Sequence, residues 1–293
     1  MRIRHLVVSF AAALVPVVAC AQHADHGGQS ASSAAATAPD TALSLPPDAE
    51  HAVARLNASP RHGQWVMIPR GNGDSVRAWI VYPERSTKAP VVVVIHEIFG
   101  MSDWVRAVTD QLAREGFIAI APDLLSGQHL PGAPDSIPQQ TAIAAVSKLD
   151  PAAVQRDIDA TARYAMALPS ALPKYGIVGF CWGGGVSFQH AVHSPTLGAS
   201  VVYYGTSPAT ASLASVRAPV LGLYGGNDAR VVSTIPPADS AMHAMGKTFE
   251  HHVYDGATHG FLRQQSGGNG ANETATRQAW PATIAWFHRY LGS

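Results

Sequence analysis

Residues 175–185 read YGIVGFCWGGG, and few folds accommodate such a stretch. The apolar run to Phe180 has the character of a buried strand, and the segment continuing to residue 193 is compatible with a helix that begins at once. Gly179 and Gly183 stand two before and two after Cys181, which is the spacing of a strand-to-helix elbow carrying a nucleophile at its tip. Such an elbow needs an unusual φ/ψ at the nucleophile, and glycines on either side let the strand and helix backbones approach without Cβ clashes. The sulfur would then stand above a sheet edge, at the N-terminus of a helix whose unpaired N–H groups favour negative charge. A small buried cysteine in a glycine-rich turn is the plainer alternative.

The rest of the chain supplies the sheet that this elbow requires. Residues 64–69 and 75–82 alternate apolar and polar around Arg70-Gly71-Asn72-Gly73-Asp74, the pattern of a hairpin at an antiparallel edge. Residues 91–95 form a continuous β-branched run of the kind found in parallel strands buried on both faces. Ser102 can cap a helix over 103–115 that Gly116 stops, and 117–121 is the next strand. Glycines and prolines make 124–138 a loop, with a short helix over 139–148 and a longer one starting at Asp150-Pro151. Beyond the elbow, strands are expected at 199–204, 220–225 and 249–254, and helices at 235–245 and 274–291. Strands alternating with helices in this order predict an α/β fold with a doubly wound, mainly parallel sheet and an antiparallel N-terminal edge hairpin.

The N-terminus points to export. A basic start (Arg2, Arg4, His5) precedes an apolar stretch over 6–19 that is too short for an ordinary membrane span, so residues 1–21 read as a signal peptide. Ala19-Cys20-Ala21 fits a cleavage site before Gln22, whereas Val17-Val18-Ala19-Cys20 fits a lipobox that would leave Cys20 acylated and tether the protein to a bacterial membrane. Residues 22–50, rich in Ala, Ser and Pro, read as a flexible tether, leaving 51–293 as the folded domain in a periplasmic setting. His23 and His26 have no third metal ligand beside them. Cys20 and Cys181 are the only cysteines, so Cys181 is an unpaired thiol in an oxidising compartment. Lys plus Arg equal Asp plus Glu at 20 each, which leaves no electrostatic footprint for nucleic acid.

Sheets of this kind hold ligands at the carboxyl ends of their strands. Glu97, Cys181, Asp228 and His259 each follow a predicted strand and would share that edge. Nucleophile, acid and histidine occur in the chain order of the α/β-hydrolase fold. A thiol needs a base in reach, His259, and the base needs an acceptor on its other nitrogen, Asp228. Glu97 would face the thiol, and the N–H groups of Ile98 and Trp182 would form a two-donor oxyanion hole. His96-Glu97-Ile98-Phe99-Gly100 lacks the second histidine of a zinc-protease helix, so no metal is expected.

Together GFCWGG, HEIFG before a charged helix, APDL at 121–124, GGND and GATHGF resemble the dienelactone hydrolase family over residues 64–291. The resemblance implies an α/β-hydrolase that opens small esters or lactones through a Cys-Asp-His triad and a thioester, without a cofactor. It implies that Glu97 pairs with the thiol and that Arg263 holds a substrate carboxylate; Phe99 and Phe261 are further candidate substrate-binding positions. Residues 139–148, QQTAIAAVSK, lack the second arginine and the tyrosine that the family's muconate-type enzyme carries before the elbow. Two other functions fit the same pattern: a non-catalytic ligand-binding lipoprotein that uses the cleft, and an acyl transferase of the same fold. Natural substrate and oligomeric state are not encoded in any motif.

Overall fold

The computed structural model describes residues 45–71, 73–128, 130 and 137–292. The signal-peptide and lipobox assignments, with Cys20, the tether as far as residue 44 and the Asn72 turn position, lie outside the described residues. Eight strands form one sheet in the order β1-β2-β4-β3-β5-β6-β7-β8. β1 (Gly63–Pro69) and β2 (Ser75–Val81) make the antiparallel edge hairpin, with Gly63 opposite Val81 and Pro69 opposite Ser75. β2 also runs antiparallel to β4 (Ile118–Pro122), whereas β4, β3 (Ala89–Ile95), β5 (Ala171–Phe180), β6 (Ala199–Tyr203), β7 (Val220–Gly225) and β8 (Phe249–Tyr254) run parallel to one another. Every residue of β3, β4, β6 and β7 is buried, because helices cover both faces and neither face can be polar. β8 is the far edge, and none of its residues is fully buried.

Two cores result, one on each face of the sheet. One gathers Val91, Val93, Ile158, Ile177 and Phe188, and the other Val92, Val94, Trp104, Phe180 and Phe287. Odd and even residues of β3 therefore serve opposite layers, as the strand's period of two requires. The helices are α1 (Ala52–Asn57), α2 (Asp103–Arg114), α3 (Gln139–Val146), α4 (Pro151–Met166), α5 (Trp182–His193), α6 (Ala229–Val232), α7 (Ile235–Ala244) and α8 (Ala271–Leu291). Capping behaves as the side chains predict. The Ser102 hydroxyl accepts from Val105 N, and the Asp150 carboxylate accepts from Ala152 N and Ala153 N.

The boundary expected at residue 50 needs correction. Residues 45–50 are packed on the domain: Pro46 and Pro47 are buried, Trp104 Nε1 donates to Pro47 O at 3.0 Å, and Ala49 N donates to Arg263 O at 2.9 Å. Proline carbonyls satisfy buried donors as well as any others, and composition alone does not reveal that use.

Candidate active site

The elbow is built from β5 running directly into α5. Cys181 adopts φ 56°, ψ −117°, one of three non-glycine residues with positive φ among those described. Such backbone is sterically costly for a residue with a Cβ and persists only where its surroundings enforce it. Here Cys181 N donates to Tyr203 O at 3.1 Å, and Cys181 O accepts from Gly184 N at 3.0 Å and Gly185 N at 3.2 Å. A Cβ on Gly179 would lie 1.8 Å from Gly183 O, so the crossing of strand and helix excludes any side chain there. The backbone N–H groups of Trp182 and Ile98 face the thiol and favour its ionised form, while His259 Nδ1 is engaged by Asp228. Burial pushes the thiol above its ordinary range and the nearby Glu97 adds to this, against the Trp182 N–H, Arg230 and the Ile98 N–H.

Two turns at the far side of the sheet deliver the other groups. Asp228 follows β7 and is 8% exposed. Its Oδ1 accepts from Val231 N at 3.4 Å, capping α6, while its Oδ2 accepts from His259 Nδ1 at 2.5 Å. One carboxylate thus serves both as turn residue and as orienting acceptor. His259 sits in the turn after β8, its ring 5.2 Å from that of Tyr204 in an edge-on contact. The two turns are stitched together. Gly226 N donates to Tyr254 O at 2.8 Å and Asn227 N to Ala257 O at 2.9 Å. Asn272, fully buried at the start of α8, accepts from Thr258 N at 2.8 Å and donates to Gln264 O at 2.7 Å.

These groups meet in a cavity of about 460 Å³ lined by Glu97, Ile98, Phe99, Cys181, Trp182 and His259, among others. Glu97 is 3% exposed, and burial pushes its carboxyl up to about 7, with the Arg263 guanidinium working in the opposite sense. Arg263 Nε lies 3.2 Å from Glu97 Oε2, yet neither atom has a well-aligned hydrogen bond. Arg263 also stands 4.8 Å over the Phe99 ring. This guanidinium, expected on a substrate carboxylate, is therefore engaged by Glu97 in the structure described here.

Phe261 requires a correction. It is fully buried among Tyr203, Tyr204 and Tyr254 and does not line the cavity, because the turn after His259 directs it into the core. Tyr204 and Arg230 take places at the cavity wall that no motif had singled out. Tyr204 has φ 40°, is fully buried, and its hydroxyl has no hydrogen-bond partner, with burial and Glu97 raising its pKa. The insertion after β4 also bears on the site. Leu125, Ala142, Ala145 and Val146 form a small cluster against which Ile98 and Trp182 pack. Among the described residues, no group of three or more His, Cys, Asp or Glu is arranged to hold a metal.

A sequence model of the dienelactone hydrolase family matches residues 76–291, a span that includes all of these groups. A candidate carboxymethylenebutenolidase of Methylorubrum extorquens is 32% identical over 261 residues, 85% of this chain and 88% of its own. A protein of the same name from Salmonella typhimurium is 33% identical over 232 residues, 75% of this chain and 85% of its own. Among solved structures, a candidate dienelactone hydrolase from Klebsiella pneumoniae matches with a TM-score of 0.69 at 32% identity, covering 78% of this chain and 99% of its own.

Proposed function

The chain belongs to the dienelactone hydrolase family, and on that premise we propose that it is a cysteine-dependent hydrolase of small carboxylic esters or lactones. The observation that carries this reading is the strained Cys181, opening into the same cavity as a histidine whose Nδ1 is bonded to Asp228. The N–H groups of Ile98 and Trp182 face the resting thiol. A substrate carbonyl oxygen takes over those two donors, and the freed thiol turns toward His259. The thiol proton passes to His259, directly or by way of ionised Glu97, and the sulfur attacks the carbonyl carbon. His259 then protonates the leaving oxygen as the C–O bond breaks, which leaves a thioester on Cys181. Water, losing its proton to His259, attacks the thioester, and the carbon–sulfur bond breaks to restore the thiol and release the acid. The helix start behind Cys181 and the two N–H donors stabilise the negative charge in both steps.

Cys181→Ala should reduce hydrolysis of p-nitrophenyl acetate at least about a thousandfold, since a nucleophile and its acyl intermediate are both lost. Turnover left intact in a folded Cys181→Ala protein would exclude the mechanism. Rapid alkylation of Cys181 that slows in His259→Ala separates a hydrolase from a protein that merely uses the cleft to bind.

We further infer export to the periplasm, from the basic start and short apolar stretch over residues 1–21. The intact mass of the protein recovered from cells tests it: an uncleaved chain would count against export, and a diacylglyceryl increment would assign Cys20 as a lipid anchor.

A further inference from the structure

Four glycines crowd the elbow, and packing demands three of them. Besides Gly179, a Cβ on Gly183 would come 2.4 Å from His96 O, and one on Gly184 would come 2.4 Å from Tyr203 O. These are backbone atoms of strand ends and cannot withdraw. Gly185 differs: a Cβ there would meet nothing nearer than the two oxygens of Thr206 at 3.5 Å, an ordinary contact. Glycine inside a helix is unfavourable relative to alanine, so Gly185 carries a penalty that no close approach explains.

What the missing side chain leaves open is a groove of about 280 Å³ beside the elbow. Leu149, Pro151, Val154, Val186 and Pro208 supply apolar walls, and none of its lining residues is charged. The cavity holding Cys181 differs in having ionisable groups, Glu97, Arg230, His259 and Arg263, among its lining residues. Trp182 and Thr206 line both spaces, so groove and cavity adjoin. The indole between them is braced: its ring stacks on His96 with centroids 5.5 Å apart and planes 24° from parallel, and His96 is itself buried with Nδ1 donating to Glu97 O at 2.7 Å.

We propose that this groove is the acyl-chain subsite of the hydrolase inferred above, and that the preferred substrates carry an unbranched apolar acyl group of several carbons. The proposal rests on that hydrolase reading. The order of bond making assigns the acyl side rather than the leaving side. The acyl carbon becomes bonded to Cys181 and its oxygen sits on the Trp182 N–H, and it is the Trp182 ring that walls the groove. The leaving oxygen goes to His259, which has no part in the groove lining.

The test is the rate on p-nitrophenyl esters from acetate to hexanoate, for the wild-type protein and for Gly185→Leu and Gln189→Trp. Each methylene seated in the groove should raise kcat/KM roughly two- to fourfold, the upper value corresponding to about 0.8 kcal/mol per buried methylene. In Gly185→Leu the ratio of hexanoate to acetate rates should fall toward one, because the new side chain occupies the subsite. Gln189 is exposed at the rim, so its replacement by tryptophan closes the groove from the solvent side even where the leucine variant does not fold. A wild-type profile that is flat or falling overturns the subsite while leaving the hydrolase standing. A chain-length preference that persists in both variants also overturns it, since the chain then lies elsewhere. If acetate hydrolysis does not depend on Cys181, the hydrolase reading fails and the subsite with it.

Discussion

Glu97 shows how burial alone sets the behaviour of a residue. With 3% of its surface exposed and only a poorly aligned guanidinium for company, it holds its proton up to about pH 7. A carboxyl whose folded value is raised contributes stability that is fully present below its ordinary value of 4.5 and is lost as pH rises through about 7. The displacement corresponds to roughly 3 kcal/mol. Glu97→Gln cannot titrate, so the stability difference between the wild type and this variant should shift by about that amount, in favour of the variant, between pH 4.5 and pH 8. Urea denaturation at the two pH values measures it. If ionised Glu97 accepts the thiol proton, wild-type kcat/KM should also rise through pH 7, and this limb should vanish in Glu97→Gln. An unchanged limb would remove Glu97 from thiol activation. Arg263→Ala deletes the cation that opposes burial, and should move the same midpoint upward.

At the scale of elements, the elbow was legible because its requirements are local. The glycine spacing around Cys181, the strand before it and the helix after it follow from sterics and periodicity within a dozen residues, and the structure has β5 ending at Phe180 and α5 covering Trp182–His193. The role of each glycine was not legible, because Gly183 and Gly185 look alike in sequence but face different neighbours. Gly179→Ala and Gly183→Ala should each cost more than about 3 kcal/mol, as backbone must move to admit a methyl group. Gly185→Ala should be neutral or stabilise by up to about 1 kcal/mol. Thermal denaturation of the three variants ranks them, and equal losses at all three would refute the distinction. Two short helices, α1 and α6, escaped the sequence patterns, since one turn of apolar spacing is not a period.

Across the whole molecule, the site depends on turns far apart in the chain being held against one another. Asn272 at the head of α8 bridges Thr258 N and Gln264 O and so fixes the turn that carries His259. Asn272→Ala leaves buried partners unsatisfied at both ends, which should cost about 2–4 kcal/mol. On the mechanism proposed above it should also lower kcat on aryl esters more than it changes KM, because the turn that holds His259 at the cavity wall would loosen. A variant destabilised to that extent with unchanged kcat would show that the Asp228 contact alone suffices to position the ring.

The sequence by itself determined the strands, the longer helices and the position of Cys181, Asp228 and His259 after strands along one sheet edge, because period, turn chemistry and chain order are properties of neighbouring residues. Only the tertiary structure decided that Tyr204 and Arg230 reach the cavity wall while Phe261 turns into the core, that Arg263 pairs with Glu97, and that residues 45–50 belong to the packed domain. Those outcomes depend on which surfaces remain to be covered once the sheet has formed, and that competition is settled between residues far apart in the chain.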